Sequence, residues 1–325
     1  MESFRRKIIA AIRAALEGDT ARYVHFVYSP ELIDPLTLLD DAKRETALIR
    51  PPNLRESLRD SKFPRLITFD CRRVASYMFE TSDIFDDPLF EASISQTYAE
   101  VINGDVVDLT VINENTGPSV GAACGWIVSR ETATELAARI ARNSYLLHPS
   151  GVRHWIRWNN PIHISILWQT LTSTQKQVLL SDARWIAFDL TRRLRTYKCD
   201  EESREIKDGV STFKFIDEQW ARYEAAPVVG SLVEKMIAAD DAVAEDIVER
   251  LYRHLKNARY KGLHREDRRL YAMTLVHVHE GADQVKEWAA LVERVLNGET
   301  KMRDGLADLS EEFWNYGTVQ TDPLM

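Results

Sequence analysis

The chain is poor in the features that mark most catalytic and nucleic-acid-binding classes. Cys71, Cys124 and Cys199 are its only cysteines, widely spaced and without a Cys-x-x-Cys pair. Reduced and mostly buried thiols are therefore expected, because Cys packs like a small hydrophobe. No run approaches the roughly eighteen uncharged apolar residues of a membrane span. The start, Met1 to Leu16, reads as an amphipathic helix: Arg13 interrupts its apolar run and no small-residue cleavage site follows, so no signal peptide is expected. A basic excess is missing as well. With 42 Lys plus Arg against 50 Asp plus Glu the formal charge is −8, which argues against a phosphate-binding surface.

Sequence motifs for phosphate, dinucleotide and ester chemistry are missing too. There is no Gly-x-x-x-x-Gly-Lys-[Ser/Thr] loop and no Gly-x-Gly-x-x-Gly turn; Gly121 to Gly125 reads as a tight approach to the next strand. No Gly-x-Ser-x-Gly elbow occurs. His277 and His279 lie two apart, which splays them on a helix, and His154 and His163 are separated by a turn. Adjacent carboxylates such as Asp86 with Asp87 or Asp240 with Asp241 do not give the defined separation that acid–base catalysis needs. Glu31 with Asp34, and Glu266 with Asp267, suit helix N-termini. No catalytic residue, metal ligand or cofactor site is expected.

What is present is a globular composition, 45% hydrophobic and 9% aromatic, enough for about two domains. The predicted class is α+β: a mixed α/β lobe over 1–216 and an all-helical lobe over 217–325. Strands are predicted at Arg65 to Phe69, Val106 to Ile112, Gly125 to Val128, Trp185 to Phe188 and Phe213 to Ile216. Thr132 and Glu135 have capping-box spacing, so a helix is predicted from about Glu131 to Leu147. Pro149 to Gly151 should turn into a strand over Val152 to Trp158 with aromatic residues on both faces. Asn159 to Pro161 break it, and two helices follow, the second beginning at Thr172 or Ser173. Lys198 to Ser211 reads as a solvated loop. From Asp217 the period is helical, with Val243, Ile247, Leu251 and Leu255 on one face and Gly262, Gly281 and Gly298 placed as caps.

One concentration stands out among these elements. Of eight tryptophans, Trp126, Trp155, Trp158, Trp168 and Trp185 fall between residues 126 and 185, together with Arg153, Arg157 and Arg184. Trp and Arg are the side chains most enriched at binding hot spots, although tryptophans also build cores.

The same stretch resembles the type VI secretion effector adaptor/chaperone family. Gly125-Trp126-Ile127-Val128-Ser129 leads into a helix, Ile156-Arg157-Trp158-Asn159-Asn160-Pro161 closes the next strand, and Leu171-Thr172 with Gln175 opens a helix before Trp185. Ala258 to Asp267 is similar to the family's helix, Gly-Leu step and helix, and Pro64-Arg65-Leu66-Ile67 to its Pro-x-Leu strand. Two departures stand out: Asn160 replaces the usual aspartate before proline, and Phe79 to Thr116 is longer than the family's segment.

The resemblance implies a non-enzymatic chaperone in the cytoplasm of a Gram-negative bacterium. It would bind a toxin effector, through that effector's N-terminal segment, and help load it onto the secretion spike tip protein, with neither nucleic acid nor a membrane span involved. Arg157, Trp158, Asn160 and Pro161 would be its signature, and Arg153 and Trp155 candidate contacts with the partner. The alternatives are a hydrolase or toxin domain using His154, His163 or the His277 pair, and a scaffold unrelated to secretion.

Overall fold

A computed structural model describes residues 1–17, 23–29, 45–52, 63–71, 82–103, 123–199, 213–239, 241, 243–278 and 281–315. The chain divides into two compact units, Met1–Glu224 and Ala225–Met325. It is an α+β protein, with the sheet in the first unit and the C-terminal part helical.

The first unit is built on a six-stranded antiparallel sheet. In chain order its elements begin with α1 (Glu2–Leu16), β1 (Tyr23–Tyr28), β2 (Thr46–Leu48), β3 (Arg65–Asp70), α2 (Ser82–Phe85) and α3 (Pro88–Tyr98). They continue with β4 (Ala123–Ser129), α4 (Ala133–Arg142), β5 (Tyr145–Leu147), β6 (Arg153–Trp155), α5 (Pro161–Leu167), α6 (Ser173–Leu180), β7 (Arg184–Phe188) and β8 (Leu194–Tyr197). Strand order is β2-β3-β1-β4-β7-β8, and β5 and β6 form a separate hairpin. All six residues of β1 are buried, as a central strand covered on both faces requires. On one face Phe26, Phe69 and Trp126 pack against Ile8 and Ile12 of α1 and Phe90 of α3. On the other, α4 lies against β2 and β3. Trp126 is fully buried, and its indole N–H donates to Ser93 at 3.1 Å.

Local signals worked where they were local. Thr132 and Glu135 form a reciprocal capping box at the start of α4, and Thr172 and Gln175 form another at α6. Asp87 caps α3 by accepting from the Leu89 N–H at 2.9 Å.

Several expectations need correction. The helix predicted to reach Leu147 stops at Arg142, because Asn143 turns the chain: its amide donates to the carbonyls of Arg139 and Val178 at 2.9 and 3.2 Å. Tyr145 to Leu147 is instead a strand paired with β6. The strand predicted over Val152 to Trp158 keeps only Arg153–Trp155; beyond it the Trp158 N–H bonds to the Ile156 carbonyl at 3.1 Å and the Asn160 N–H to Arg157 at 2.9 Å, which curls the chain. Phe213 to Ile216 is not a strand: among the described residues no strand pairs with it, and glutamine side chains take up the Lys214 carbonyl and the Ile216 N–H. Val243 precedes the helix it was assigned to. Strands β1 and β8 had no counterpart in the sequence reading. Val106 to Ile112, His279, Asp240, Glu31, Asp34 and nearly all of Lys198 to Ser211 lie outside the described residues. Cys71, Cys124 and Cys199 are free thiols, and burial pushes Cys124 up to about 12 and Cys71 up to about 11.

Helix α7 (Asp217–Ala238) opens the helical stretch, and α8 (Ile247–Tyr260), α9 (Arg265–His277), α10 (Lys286–Leu296), α11 (Met302–Gly305) and α12 (Glu311–Trp314) follow. Leu251, Leu255 and Ala258 line the buried stripe of α8. Trp288 centres the second unit's core, stacked on Phe313 at 5.4 Å and tilted against Tyr271 at 5.2 Å. Gly262 and Gly298 end α8 and α10 with φ of 87° and 75°, the left-handed conformation a glycine adopts without steric cost.

Candidate functional site

The β5–β6 hairpin carries the residues singled out from the sequence, and it divides them. The pairing is Tyr145 with Trp155, Leu146 with His154 and Leu147 with Arg153. Leu146 is buried, and His154 on the same face meets the Trp220 and Tyr223 rings at 5.6 and 5.7 Å. Arg153 is exposed, with its guanidinium 5.6 Å from the Tyr145 ring. Trp155 is half-buried against Phe63 at 5.1 Å, with the Arg157 guanidinium 4.7 Å over its ring.

Trp158 packs beside the hairpin, and Asn160 and Pro161 start α5. Trp158 is 1% exposed, donates its indole N–H to the Asn143 carbonyl at 3.2 Å, and meets Phe213 and Phe215 edge-on at 5.9 and 6.0 Å. Asn160 caps α5 by accepting from the Ile162 N–H at 2.8 Å, and Pro161 occupies the first turn, where a missing N–H costs nothing. Arg153 alone of the six candidates lines the concave surface next to the hairpin.

That surface is an open groove of about 880 Å³ within the first unit. Its apolar lining comes from Leu146, Leu147, Val178, Phe213, Phe215 and Trp220. Its charged lining is Arg139, Arg142, Arg153 and Lys214, with His148, and no Asp or Glu is among the lining residues. Arg139 is paired with Glu131. Arg142, Arg153 and Lys214 are exposed and have no carboxylate partner among the described residues. The sequence reading missed Arg142, Lys214, His148 and Trp220. The only linear trace is the Phe213-Lys214-Phe215 alternation, whose period is that of a strand.

The histidines are held in place by their surroundings. His163 donates through Nδ1 to the Arg157 carbonyl at 3.3 Å, packs on Tyr223 at 5.1 Å, and burial lowers its pKa to about 4. His25 sits between the Thr68 hydroxyl and the Glu131 carbonyl, each at 3.0 Å, so Nε2 donates and Nδ1 accepts; burial lowers it to about 4. His154 is lowered by desolvation and then by His148. His277 lies between the Met273 carbonyl at 2.7 Å and Asp241 at 3.1 Å, both acceptors. His148 takes the Ser150 N–H at 3.1 Å on Nδ1, which also lies 2.7 Å from the Ser150 hydroxyl, and its Nε2 is 3.4 Å from Glu224.

Among the described residues no group of three or more His, Cys, Asp or Glu is arranged to hold a metal ion, and no helix is long and apolar enough to cross a membrane. No family model, curated protein or solved structure matches the chain.

Proposed function

We propose that this chain is a non-enzymatic adaptor that binds a toxin effector polypeptide in the bacterial cytoplasm and helps place it on the tip of a type VI secretion spike. The observation that carries the reading is the groove beside the β5–β6 hairpin, an apolar floor with a cationic rim. Part of its support comes from residues that carry the family resemblance, Trp158 against Phe213 and Phe215 and Gln175 on the Lys214 carbonyl. Asn160 and Pro161 start α5, and Thr172 with Gln175 starts α6. A groove of this kind suits a reversible grip, since apolar anchors supply affinity and rim charges set register and association rate.

The test is genetic and biochemical together. Co-expression with the toxin encoded beside this gene should give a complex that survives size-exclusion chromatography, and deletion of this gene should abolish that toxin's secretion. Normal secretion without the chain would overturn the reading.

One arrangement favours a hydrolase instead, the sequence Ser150 hydroxyl, His148 imidazole and Glu224 carboxylate described above. A fluorophosphonate probe decides between them. An adaptor leaves Ser150 unlabelled, and a hydrolase of this type labels it, with the label lost in Ser150→Ala.

A further inference from the structure

The groove has a charge pattern opposite to that of the chain around it. The protein carries −8 overall, yet the lining brings together Arg139, Arg142, Arg153 and Lys214 with no acidic side chain. Glu131 compensates only the first of these; the other three project from α4, β6 and the segment before α7 without a carboxylate partner among the described residues. Like charges gathered on one concavity repel each other and offer stabilisation to an anion that enters between them.

Apolar exposure converges on the same place. The exposed large hydrophobic side chains described in Met1–Glu224 are Met1, Leu147, Val152 and Ile216, at 64%, 58%, 56% and 60%. Apart from the N-terminal methionine, each lines the groove or stands next in sequence to a residue that does. An occupant must therefore offer carboxylates and apolar side chains together.

The hairpin backbone says what kind of molecule that is. The His148 N–H bonds to the Val152 carbonyl at 2.8 Å and the Ile156 N–H to the Ser144 carbonyl at 2.6 Å, so inward-facing pairs alternate along the ladder. The alternation turns the main-chain groups of Tyr145 and Leu147 away from β6. Among the described residues β5 pairs with β6 alone; on its outer edge the Tyr145 carbonyl accepts from the Arg153 guanidinium at 3.5 Å, so a strand-like polypeptide pairs there by displacing that one side-chain contact. Nucleic acid fits poorly. Successive bases need a series of exposed aromatic faces, whereas Phe213, Phe215 and Trp220 are only 7%, 8% and 3% exposed and, of the groove's Phe, Trp and Tyr side chains, half-buried Tyr145 alone is left to stack on; the apolar contact open to an occupant is at Leu147, Val152 and Ile216.

We infer that the groove beside the β5–β6 hairpin is the seat of an acidic polypeptide segment with interleaved apolar anchors, its carboxylates meeting Arg142, Arg153 and Lys214. This rests on the adaptor reading for its natural occupant, the effector, while the recognition chemistry belongs to the groove itself.

The test uses the full chain and a short fluorescein-labelled peptide of alternating Glu and Phe, with Gln-for-Glu and Lys-for-Glu counterparts, read by fluorescence anisotropy. The Glu peptide should bind at least about tenfold more tightly than the Gln peptide, with an association rate that falls as salt rises, and the Lys peptide should not bind. The triple variant Arg142→Glu/Arg153→Glu/Lys214→Glu should lose that preference. The neutral triple variant with Gln at the three positions should show an intermediate loss, both with the wild-type circular dichroism spectrum and melting temperature. Equal binding of the Glu and Gln peptides, or equal binding by the charge-reversed and wild-type chains, overturns the inference. So does an oligonucleotide that displaces the peptide at matched charge, or a dimer of the chain that dissociates on the triple substitution. The two readings also fail separately. An effector that co-purifies undiminished with the charge-reversed chain removes the groove assignment and keeps the adaptor. A chain that binds the Glu peptide but is dispensable for secretion removes the adaptor and keeps the groove.

Discussion

The side-chain amides of Gln175 and Gln219 exchange a reciprocal pair of hydrogen bonds, 3.0 Å from Gln175 Nε2 to Gln219 Oε1 and 2.8 Å in return. Each amide is also satisfied outside the pair. Gln175 donates to the Lys214 carbonyl at 2.6 Å and accepts from the Thr172 N–H at 2.8 Å; Gln219 donates to the Thr170 carbonyl at 2.7 Å and accepts from the Ile216 N–H at 3.1 Å. With both residues buried, the network fixes the segment that carries Phe213, Lys214 and Phe215 into the groove.

Truncating either partner strands buried donors and acceptors of the other. Gln175→Ala and Gln219→Ala should each lower the unfolding free energy by about 2–4 kcal/mol. The double variant should lose clearly less than the two single losses added together, because the second truncation removes groups the first had already orphaned. Urea denaturation of the three variants measures this. Additive losses would mean that the amides act independently.

The same network explains why part of the fold was hidden in the sequence. Phe213 to Ile216 alternates like a strand, but its backbone partners are side chains some forty residues away in sequence, at Gln175, and at the following helix. Capping boxes are legible because they close within three residues, as at Thr132 and Thr172. The helix carried on to Leu147 failed because spacing alone cannot tell a continuing apolar stripe from a hairpin strand that leaves Leu147 at the surface. Strand β1 escaped because a wholly buried strand does not alternate, and His25 at its centre reads as polar until Thr68 and Glu131 are seen around it. The groove was illegible for a similar reason. Its cations are contributed by α4, β6 and residue 214, and only the fold brings them to one concavity.

Asn160 tests whether the residue before Pro161 is structural. Asn160→Ala removes the cap on the Ile162 N–H and should cost about 1 kcal/mol in thermal or urea unfolding at pH 7. Asn160→Asp keeps an acceptor in the same place and adds a favourable charge at the helix N-terminus, so it should cost less than the alanine variant. An aspartate variant less stable than the alanine one would show that desolvation of the carboxylate at this 5% exposed position outweighs the cap.

Gly125 is a position on β4 where only glycine fits. Its φ is 107°, beside the register shift where β1 meets β4 at Val27 and Tyr28. A Cβ there would lie 2.4 Å from the Ile186 carbonyl oxygen and 2.8 Å from the Ala187 Cβ. Gly125→Ala therefore combines backbone strain with an overlap against β7 that no rotamer relieves, and should destabilise by about 3 kcal/mol or more. Calorimetry should show the loss in unfolding of the first unit. A melting temperature within a degree or so of wild type would require β7 to shift without cost.

His25 and His163 give the fold a defined acid sensitivity. Both are held neutral, with burial lowering each to about 4 against an ordinary value near 6.5 in the unfolded chain. As pH falls the unfolded chain takes up these protons first. Their stabilising contribution is thus complete above about pH 6.5 and lost progressively down to about pH 4, at about 1.4 kcal/mol per pH unit for each histidine. Carboxylates also titrate toward the lower end of that window, so the informative quantity is the difference between wild type and His163→Phe. Phenylalanine can keep the ring contact with Tyr223 but cannot donate to the Arg157 carbonyl, so the variant should be offset by a constant amount near neutral pH. Between pH 6.5 and 4 its stability should fall less steeply than wild type, by one proton's worth of slope, as followed by urea midpoints across the range. Parallel curves would show that His163 binds protons equally well in the folded and unfolded chain, and would leave His25 and the carboxylates to account for any acid lability the first unit has.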